Sequence, residues 1–252
     1  MSDVRLSNWP EIRDWRKAQR AALVERRLAV PADTLKAWNV AITGLIEAGF
    51  PMLAGMTVGF CWPYKHEFDA RFVIRTLRDH GAMAALPVVV EKKGPLQFRK
   101  WWPGAPMGKG VYDIPIPDGT DIVLPDAAIV PMNGFDEQGY RLGYGGGYFD
   151  RTLASLSPRP LAIGVSFELA RLKTIFPQEH DIAMDFVVTE AGIHALNGSK
   201  LTRLDPAECS ARAQRLCDER RLPRPRPPED GLSSPVCYAG EFPGYLGDTP
   251  EK

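Results

Sequence analysis

Glycine and charged residues are concentrated in one short stretch, GYRLGYGGGYFDR, at residues 139–151. Four of the five positions 143–147 are glycine, which lets backbone N–H groups approach a ligand closely. Asp150 lies about one helical turn into the helix expected after the glycines. A carboxylate beside phosphate groups is suited to bind Mg²⁺. Arg141 and Arg151 flank the glycines and supply cations for phosphate charge. The stretch therefore predicts a phosphate site.

General nucleotide motifs do not fit this stretch. The sequence lacks G-x-x-x-x-G-K-[ST], and the glycine spacing also fails to match G-x-G-x-x-G. A structural alternative for Asp150 stays open, because a carboxylate in the first turn of a helix also stabilises the helix dipole. The chemistry therefore depends on what surrounds the glycines.

A second concentration of charge lies near the N-terminus. Residues 11–30 have apolar positions at helical spacing, with arginine and lysine between them. Two interpretations of these cations remain open here. They form a solvated helix face, or they reach toward an anionic ligand.

The elements that must position these groups follow an α/β pattern. Apolar runs at 56–63, 82–90, 127–131 and 160–167 predict buried strands, and helices are expected at 34–49, at 67–80 and from about residue 147. Such alternation predicts a three-layer α/β/α fold with a mostly parallel, Rossmann-like sheet. The glycine stretch then lies between a strand and a helix, where such folds bind ligands. Residues 94–126 are rich in proline and predict an extended excursion over the sheet edge.

The composition changes after residue 194. We expect one α/β domain over residues 1–198 and a C-terminal extension over 199–252. The extension is predicted to contain a helix capped by Asp205, with Pro206 in its first turn, and then a proline- and glycine-rich tail. Its low apolar content predicts that the extension is dispensable for chemistry.

Charge and hydropathy exclude several classes of protein. Lys+Arg and Asp+Glu both number 31, so a basic nucleic-acid-binding surface is not expected. No apolar run is long enough to span a membrane, and the N-terminus lacks the apolar core of a signal peptide, so the expected location is cytoplasmic. The four cysteines have no C-x-x-C spacing and are expected to be reduced thiols. The sequence assigns no oligomeric state.

The stretch NGFDEQGYRLGYGGGYFDRTL, at residues 133–153, resembles the signature of the 5-formyltetrahydrofolate cyclo-ligase (5,10-methenyltetrahydrofolate synthetase) family. The resemblance extends from about Arg13 to Glu190. It implies an ATP-dependent ligase of folate one-carbon metabolism, with reduced folate and ATP as partners and Mg²⁺ as cofactor. The implied reaction closes 5-formyltetrahydrofolate to 5,10-methenyltetrahydrofolate and releases ADP and phosphate.

The resemblance also implies roles for individual residues. It places a pair of cations of the N-terminal helix against ATP, the glycine loop around the nucleotide, two carboxylates at Mg²⁺, and an acid and two aromatic residues at the folate. The implied ATP-binding residues are Arg16, Arg20, Arg141, Leu142, Gly143, Tyr144, Gly145, Gly146, Gly147, Tyr148 and Phe149. The metal residues are Asp150 and Asp181, the folate residues are Glu67, Tyr112 and Tyr148, and the catalytic residues are Arg141, Tyr148 and Asp150.

Departures from the family pattern keep a non-enzymatic alternative open. Some members have Arg and Lys in the glycine stretch where this chain has Tyr144 and Gly146, and Phe149 replaces a frequent tyrosine. The alternative is a nucleotide-binding regulatory module without turnover. A sugar-phosphate isomerase or CoA-transferase is a further class, but the acid/base or nucleophilic Glu that such enzymes need is not placed near the glycine stretch.

Overall fold

The structure is a computed structural model, which describes Leu6 and residues 8–222, apart from the side chain of Tyr112. Its α-helices are α1 Trp9–Leu28, α2 Ala32–Gly49, α3 Arg71–Asp79, α4 Tyr148–Ser155 and α5 Pro206–Glu219. Short 3₁₀ helices occur at Pro51–Leu53, Val111–Asp113 and Glu168–Ala170. The strands are β1 Thr57–Gly59, β2 Met83–Val88, β3 Gln97–Trp101, β4 Met107–Lys109, β5 Pro115–Pro117, β6 Ala127–Pro131, β7 Gly134–Asp136, β8 Arg141–Leu142, β9 Leu161–Val165, β10 Arg171–Leu172, β11 Phe186–Thr189, β12 Gly192–Asn197 and β13 Lys200–Leu204.

An eight-stranded sheet forms the centre of the fold, in the order β13-β12-β11-β9-β6-β1-β2-β3. The five inner strands β11, β9, β6, β1 and β2 run parallel to one another. The outer strands β3, β12 and β13 pair in the antiparallel sense. The prediction of a mostly parallel sheet is therefore confirmed.

Alternate residues of the inner strands face two different helix layers. On β6, Ala127 and Ile129 belong to a core with residues of α2, α3 and α5, whereas Ala128 and Val130 pack with Leu153 of α4. This is the period-2 burial of a strand that is covered on both faces. The predicted three-layer α/β/α architecture is confirmed.

The connections of the sheet reverse direction between β1 and β6. After β1 the chain crosses through α3 to β2 on one side, and after β6 it crosses through α4 to β9 on the other side. Connections that diverge in this way leave a crevice at the carboxyl ends of the two strands, which is where open α/β sheets bind ligands.

The helix predicted at residues 67–80 begins later than expected, at Arg71. Lys65 and His66 have positive φ angles of 49° and 57°, so the chain turns before the helix starts. Glu67 lies just after this turn, and its backbone N–H donates to the Tyr64 carbonyl at 3.1 Å. Glu67 is therefore on the loop that follows β1, close to the carboxyl end of that strand.

The proline-rich excursion closes one edge of the sheet. Its first strand, β3, pairs with β2, and β4 pairs with β5 in a separate two-stranded ribbon. Trp101 is buried and Trp102 is partly exposed. Trp101 therefore packs in the core.

Residues beyond 198 take part in the same core. β13 pairs with β12 along residues 200–204, and α5 buries Cys209, Ala213 and Cys217. Asp205 caps α5 in a capping box with Glu208, as the sequence predicts. The boundary expected at residue 198 falls inside the β12–β13 hairpin, and we propose that the domain extends to Leu222. The predicted tail lies outside the described residues.

The state of the cysteines and the hydropathy of the helices can both be compared with the sequence predictions. Cys61, Cys209 and Cys217 are free thiols, and Cys237 lies outside the described residues. Among the helices of the described residues, none combines the length and the hydropathy needed to cross a membrane.

Candidate active site

A cavity of about 620 Å³ lies at the crevice between β1 and β6. Its wall includes the residues after β1, the end of β2, Pro131 at the end of β6, the glycine stretch, α1 and residues 179–182. A pocket of this size and place is suited to small-molecule substrates. The sequence predicts this location from the glycine stretch between a strand and a helix and from the ends of the parallel strands.

The glycine stretch folds into a loop between β8 and α4, and we call residues 143–147 the glycine loop. Gly145 and Gly147 have φ angles of 95° and 63°, which residues with a side chain rarely adopt. Gly147 is also the N-cap of α4. The loop thus directs backbone groups and a helix N-terminus at the cavity, an arrangement that favours anions.

The remaining two glycines of the loop make room for neighbouring side chains. A Cβ at Gly143 would collide with the Arg141 guanidinium, and a Cβ at Gly146 would lie 2.7 Å from the Tyr148 ring. Arg151 donates to the Gly146 carbonyl at 2.7 Å and to the Gly94 carbonyl at 3.2 Å. Arg151 therefore holds the loop backbone at Gly146, next to the start of α4.

Arg141 and Asp150 form an ion pair across the base of the loop, 3.1 Å apart. Asp150 also accepts the Ile182 N–H at 3.3 Å. The Arg141 guanidinium lies 5.3 Å from the centre of the Phe149 ring. Its Nε is buried and has no hydrogen-bond partner among the described residues. A buried donor without a partner is costly, so a ligand oxygen would satisfy it.

Asp181 is held by the N-terminal helix. Arg16 of α1 forms an ion pair with its carboxylate at 2.5 Å, and both side chains are buried. Asp181 also accepts the Gln178 N–H at 2.7 Å, while Arg16 donates to the carbonyls of Ile175 and Phe176. This pair therefore attaches α1 to the wall of the cavity.

Arg20, one turn after Arg16, reaches the glycine loop itself. Its Nε donates to the Gly143 carbonyl at 2.9 Å, and its guanidinium packs against Gly145. Burial lowers the pKa of Arg20, and the positive charges of Arg16 and Arg141 lower it further. Three cations that gather in this way favour an anionic ligand.

Glu67 lies on the opposite side of the loop, where it accepts a hydrogen bond from Tyr144. The Tyr144 hydroxyl donates to Glu67 Oε1 at 3.0 Å and accepts from Arg27 Nη2 at 3.1 Å. Glu67 Oε2 accepts the Tyr64 N–H at 3.2 Å. Burial raises the pKa of Glu67, while Arg27 and the two hydrogen bonds oppose that rise. The structure thus connects a carboxylate after β1 with a side chain of the glycine loop.

The other predicted residues occupy different positions. Tyr148 and Phe149 line the cavity at the start of α4. Leu142 is buried and packs with Leu23, Ala170 and Ile175, so its side chain supports the loop from behind. The side chain of Tyr112 lies outside the described part of the chain.

Arg27 and Asn133 are site residues that sequence reasoning missed. Arg27 is buried and donates to Asn133 Oδ1 at 3.1 Å and to the Lys65 carbonyl at 2.8 Å. It follows Arg20 by seven residues, which is two helical turns, so its spacing places it on the same face of α1. That spacing was the available signal.

Cys61 also lines the cavity, but its environment does not favour a nucleophile. Burial raises the pKa of the Cys61 thiol, and the nearby Glu67 carboxylate raises it further. The reactive form of cysteine is the thiolate. The cavity therefore holds Cys61 as a neutral thiol.

The donor chemistry at Asp150 fits a magnesium ion. Mg²⁺ is usually held by one or two carboxylates together with substrate phosphate oxygens. Asp150 lies on the cavity wall, and the main chain that follows Asp181 contacts it through Ile182. Among the described residues, no group of three or more His, Cys, Asp or Glu residues is arranged to hold a metal ion. A metal here would therefore need oxygens from the substrate.

Comparison with known proteins gives the family. The model of the 5-formyltetrahydrofolate cyclo-ligase family matches residues 12–190. The chain belongs to this family. A 5-formyltetrahydrofolate cyclo-ligase of Mycolicibacterium smegmatis is 32% identical in an alignment of 193 residues, which covers 70% of this chain and 95% of that protein. The enzyme of the same name from Escherichia coli strain K12 is 30% identical in an alignment of 151 residues, which covers 57% of this chain and 82% of that protein.

Solved structures of similar proteins agree on the fold. The 5,10-methenyltetrahydrofolate synthetase of Aquifex aeolicus has a TM-score of 0.64 and 23% identity, and covers 75% of this chain and 96% of its own. The 5,10-methenyltetrahydrofolate synthetase of Mycoplasma pneumoniae has a TM-score of 0.57 and 21% identity, and covers 69% of this chain and 98% of its own. At these identities the likeness concerns the fold of the family.

Proposed function

We propose that this protein is an ATP-dependent 5-formyltetrahydrofolate cyclo-ligase. The reaction consumes 5-formyltetrahydrofolate and ATP and yields 5,10-methenyltetrahydrofolate, ADP and phosphate. One observation supports it best: a glycine loop with clustered arginines and a buried carboxylate share one cavity in a chain of this family. A cytoplasmic location is part of the proposal, since ATP is the co-substrate.

The chemistry requires two substrates in line rather than a protein nucleophile. The terminal phosphoryl group of ATP passes to the formyl oxygen on N5, N10 attacks the activated carbon, and phosphate leaves. Catalysis of phosphoryl transfer rests on positioning and on neutralising charge. A cavity with arginines on its wall and a neutral Cys61 thiol fits this need.

The residues around the glycine loop are proposed to bind ATP. Backbone N–H groups of the loop and the N-terminus of α4 would face the phosphates. Arg20 and the Arg141 Nε, which has no partner in the described part of the chain, would be the cationic donors. Such charge-assisted hydrogen bonds are about twice as strong as neutral ones. Arg16 positions α1 through its pair with Asp181.

Asp150 is the residue that we propose as the magnesium ligand, with Asp181 nearby. Bound Mg²⁺ would neutralise part of the triphosphate charge. Asp181 already accepts the buried Arg16 guanidinium at 2.5 Å, whereas the contacts of Asp150 are longer, at 3.1 and 3.3 Å. Asp150 is therefore the more available of the two carboxylates.

Glu67 is proposed to bind the folate. An ionised carboxylate accepts two parallel N–H donors, and a pterin offers such a pair in its 2-amino group and ring N–H. Glu67 lies on the cavity wall after β1. Tyr148, the first residue of α4, lines the same cavity and is proposed to contact both substrates.

The decisive experiment follows methenyl product from 5-formyltetrahydrofolate with Mg-ATP. We expect product only when both substrates are present, together with one ADP per product. Sugar phosphates in place of the folate should not trigger ATP consumption. Nucleotide binding without product would instead favour the regulatory-module alternative.

A further inference from the structure

We propose that Tyr144 couples the two substrate sites, so that a nucleotide on the glycine loop strengthens folate binding at Glu67. The proposal rests on the proposed function. Tyr144 stands between Gly143 and Gly145, within the loop assigned to the phosphates. Its hydroxyl nevertheless contacts the carboxylate assigned to the folate. One residue thus belongs to both sites.

The hydroxyl of Tyr144 is the centre of a directed chain of hydrogen bonds. Arg27 donates to it at 3.1 Å, so its own hydrogen is free to be donated to Glu67 at 3.0 Å. The direct distance from Arg27 to Glu67 is longer, at 3.8 Å. Tyr144 therefore transmits the stabilising effect of the arginine to the carboxylate.

This chain fixes the orientation of Glu67. Tyr144 holds Oε1 and the Tyr64 N–H holds Oε2, so each carboxylate oxygen has a donor of its own. The Glu67 side chain is only 5% exposed. A buried carboxylate is costly without donors. Without Tyr144, the oxygen Oε1 would keep only the distant Arg27, and the carboxylate would be free to rotate away from the folate.

The position of Tyr144 depends in turn on the loop. Tyr144 remains 45% exposed, and its ring makes an edge contact with Tyr64 at 5.8 Å between ring centres. Its backbone neighbours are glycines, which restrict the chain least. A nucleotide that binds Arg20 and the loop N–H groups would immobilise this backbone.

An ordered loop therefore favours folate binding. Once a nucleotide fixes the loop, Tyr144 stays on Glu67, and the folate no longer has to order either group. Two ligands that require the same ordering bind with positive cooperativity. The effect is reciprocal, so folate should strengthen nucleotide binding by the same factor.

Calorimetry with the folate and a non-hydrolysable ATP analogue, which do not react with each other, tests this coupling. The dissociation constant of 5-formyltetrahydrofolate is measured with and without the β,γ-imido analogue of ATP and Mg²⁺. In the wild type we expect the analogue to lower it by about fivefold or more, the usual lower range of such coupling. Tyr144→Phe keeps the ring and removes the hydroxyl. In this variant, the ratio of the dissociation constants measured without and with the analogue should fall to within about twofold of one.

Tyr140→Phe is the matched control. The substitution removes a tyrosine hydroxyl four residues before Tyr144. Tyr140 packs with the buried cluster around Leu142, behind the loop, and does not line the cavity. It should keep the wild-type ratio. Two results would overturn the coupling, provided that both ligands still bind. One is a ratio near one in the wild type, and the other is a ratio in Tyr144→Phe as large as that of the wild type. Failure of the wild type to bind either ligand overturns the proposed function and the coupling with it.

Discussion

At the scale of single residues, Asp150 and Asp181 have the same chemistry but different neighbours. Asp181 is bound by a buried arginine from α1, whereas Asp150 of α4 is bound by Arg141 of β8, across the base of the glycine loop. The sequence predicts a metal role for Asp150 from its place beside the glycine stretch, and for Asp181 from the family resemblance alone. The sequence does not reveal that Arg16 pairs with Asp181, since the two residues are 165 positions apart in the chain and meet only in the folded protein.

Asp150→Asn should lower kcat by roughly 10²-fold or more, because charge stabilisation in the transition state would be lost. The amide keeps the shape of the side chain, so the protein should stay folded in a thermal melt. Product formation from 5-formyltetrahydrofolate and Mg-ATP is the measurement. Asp181→Asn should lose less kcat but more thermal stability, because it leaves Arg16 buried without its carboxylate. A folded Asp150→Asn with near-native turnover would rule out the magnesium role.

Glu67→Gln should raise the KM for folate about tenfold or more and raise the KM for ATP by no more than the roughly fivefold coupling between the two sites. The change replaces a charged acceptor by a neutral amide, and hydrogen bonds to charged groups contribute about 1.5–3 kcal/mol. Steady-state kinetics with each substrate varied in turn gives both constants. If only the KM for ATP rises, Glu67 belongs to the other substrate.

Folate binding should also depend on pH through Glu67. Burial raises the pKa of this carboxyl above its ordinary value of 4.5, against the opposing effects of Arg27, Tyr144 and Arg141. Binding that needs the ionised form is complete above the raised pKa and is lost as the pH falls through it. The dissociation constant should therefore increase as the pH is lowered from neutral toward the raised pKa. Glu67→Gln should show a flat profile over this range, and a wild-type profile as flat as that of the variant would contradict the role.

At the scale of elements, α1 organises one whole side of the site. Three arginines of this helix contact different parts of the site. Arg16 binds the residue 181 carboxylate, Arg20 binds the glycine loop, and Arg27 binds the Tyr144 hydroxyl. The interpretation as a solvated face holds for part of the helix, and the interpretation that its cations reach an anionic ligand stays a prediction. Lys17 and Arg26 are exposed, while Arg16 and Arg27 are buried.

Arg20→Ala should raise the KM for ATP about tenfold or more and change the KM for folate little. The proposed partner of Arg20 is phosphate, and its removal also frees the Gly143 carbonyl. Lys17→Ala is the control, since it removes one cation from the exposed face of the same helix. Equal effects of the two substitutions would show that only general positive charge matters.

Strong local patterns explain which elements could be predicted. The β6 strand has the bounds expected from AAIVP, and α4 starts within one residue of the expected position, because apolar runs and glycine signals act locally. The turn before α3 was not predicted, since Lys65 and His66 adopt positive φ without a glycine or asparagine to signal it. The hydrogen bond from Tyr144 to Glu67 joins residues 77 positions apart, and no local pattern contains it.

At the scale of the whole molecule, the end of the domain is a question of packing. The helix α5 contacts α2, β9 and the turn at Pro51–Leu53. Arg220 at its C-terminus binds Asp185 at 2.6 Å, and Arg159 binds the same carboxylate. Low apolar content after residue 194 hides this role, because three small buried residues, Cys209, Ala213 and Cys217, suffice to dock the helix.

The last prediction concerns where the chain can be shortened. A chain that ends at Leu222 should keep the wild-type kcat within about twofold and the same melting temperature, because β13 and α5 remain in place. A chain that ends at Gly198 loses the pairing of β13 with β12, the buried face of α5 and the Arg220–Asp185 pair. It should lose about 3 kcal/mol or more of stability, because it uncovers a core face and leaves a buried carboxylate with one partner fewer.

Thermal melts and product assays on the two shortened chains separate stability from chemistry. The chain ending at Gly198 should melt at least about 6 °C lower, or without a cooperative transition. Full stability and turnover in that chain would restore the boundary that the composition suggests. Loss of turnover in a chain that ends at Leu222 and melts normally would show that residues 223–252 contribute to the reaction. The comparison therefore assigns residues 199–222 and residues 223–252 to separate roles with one pair of proteins.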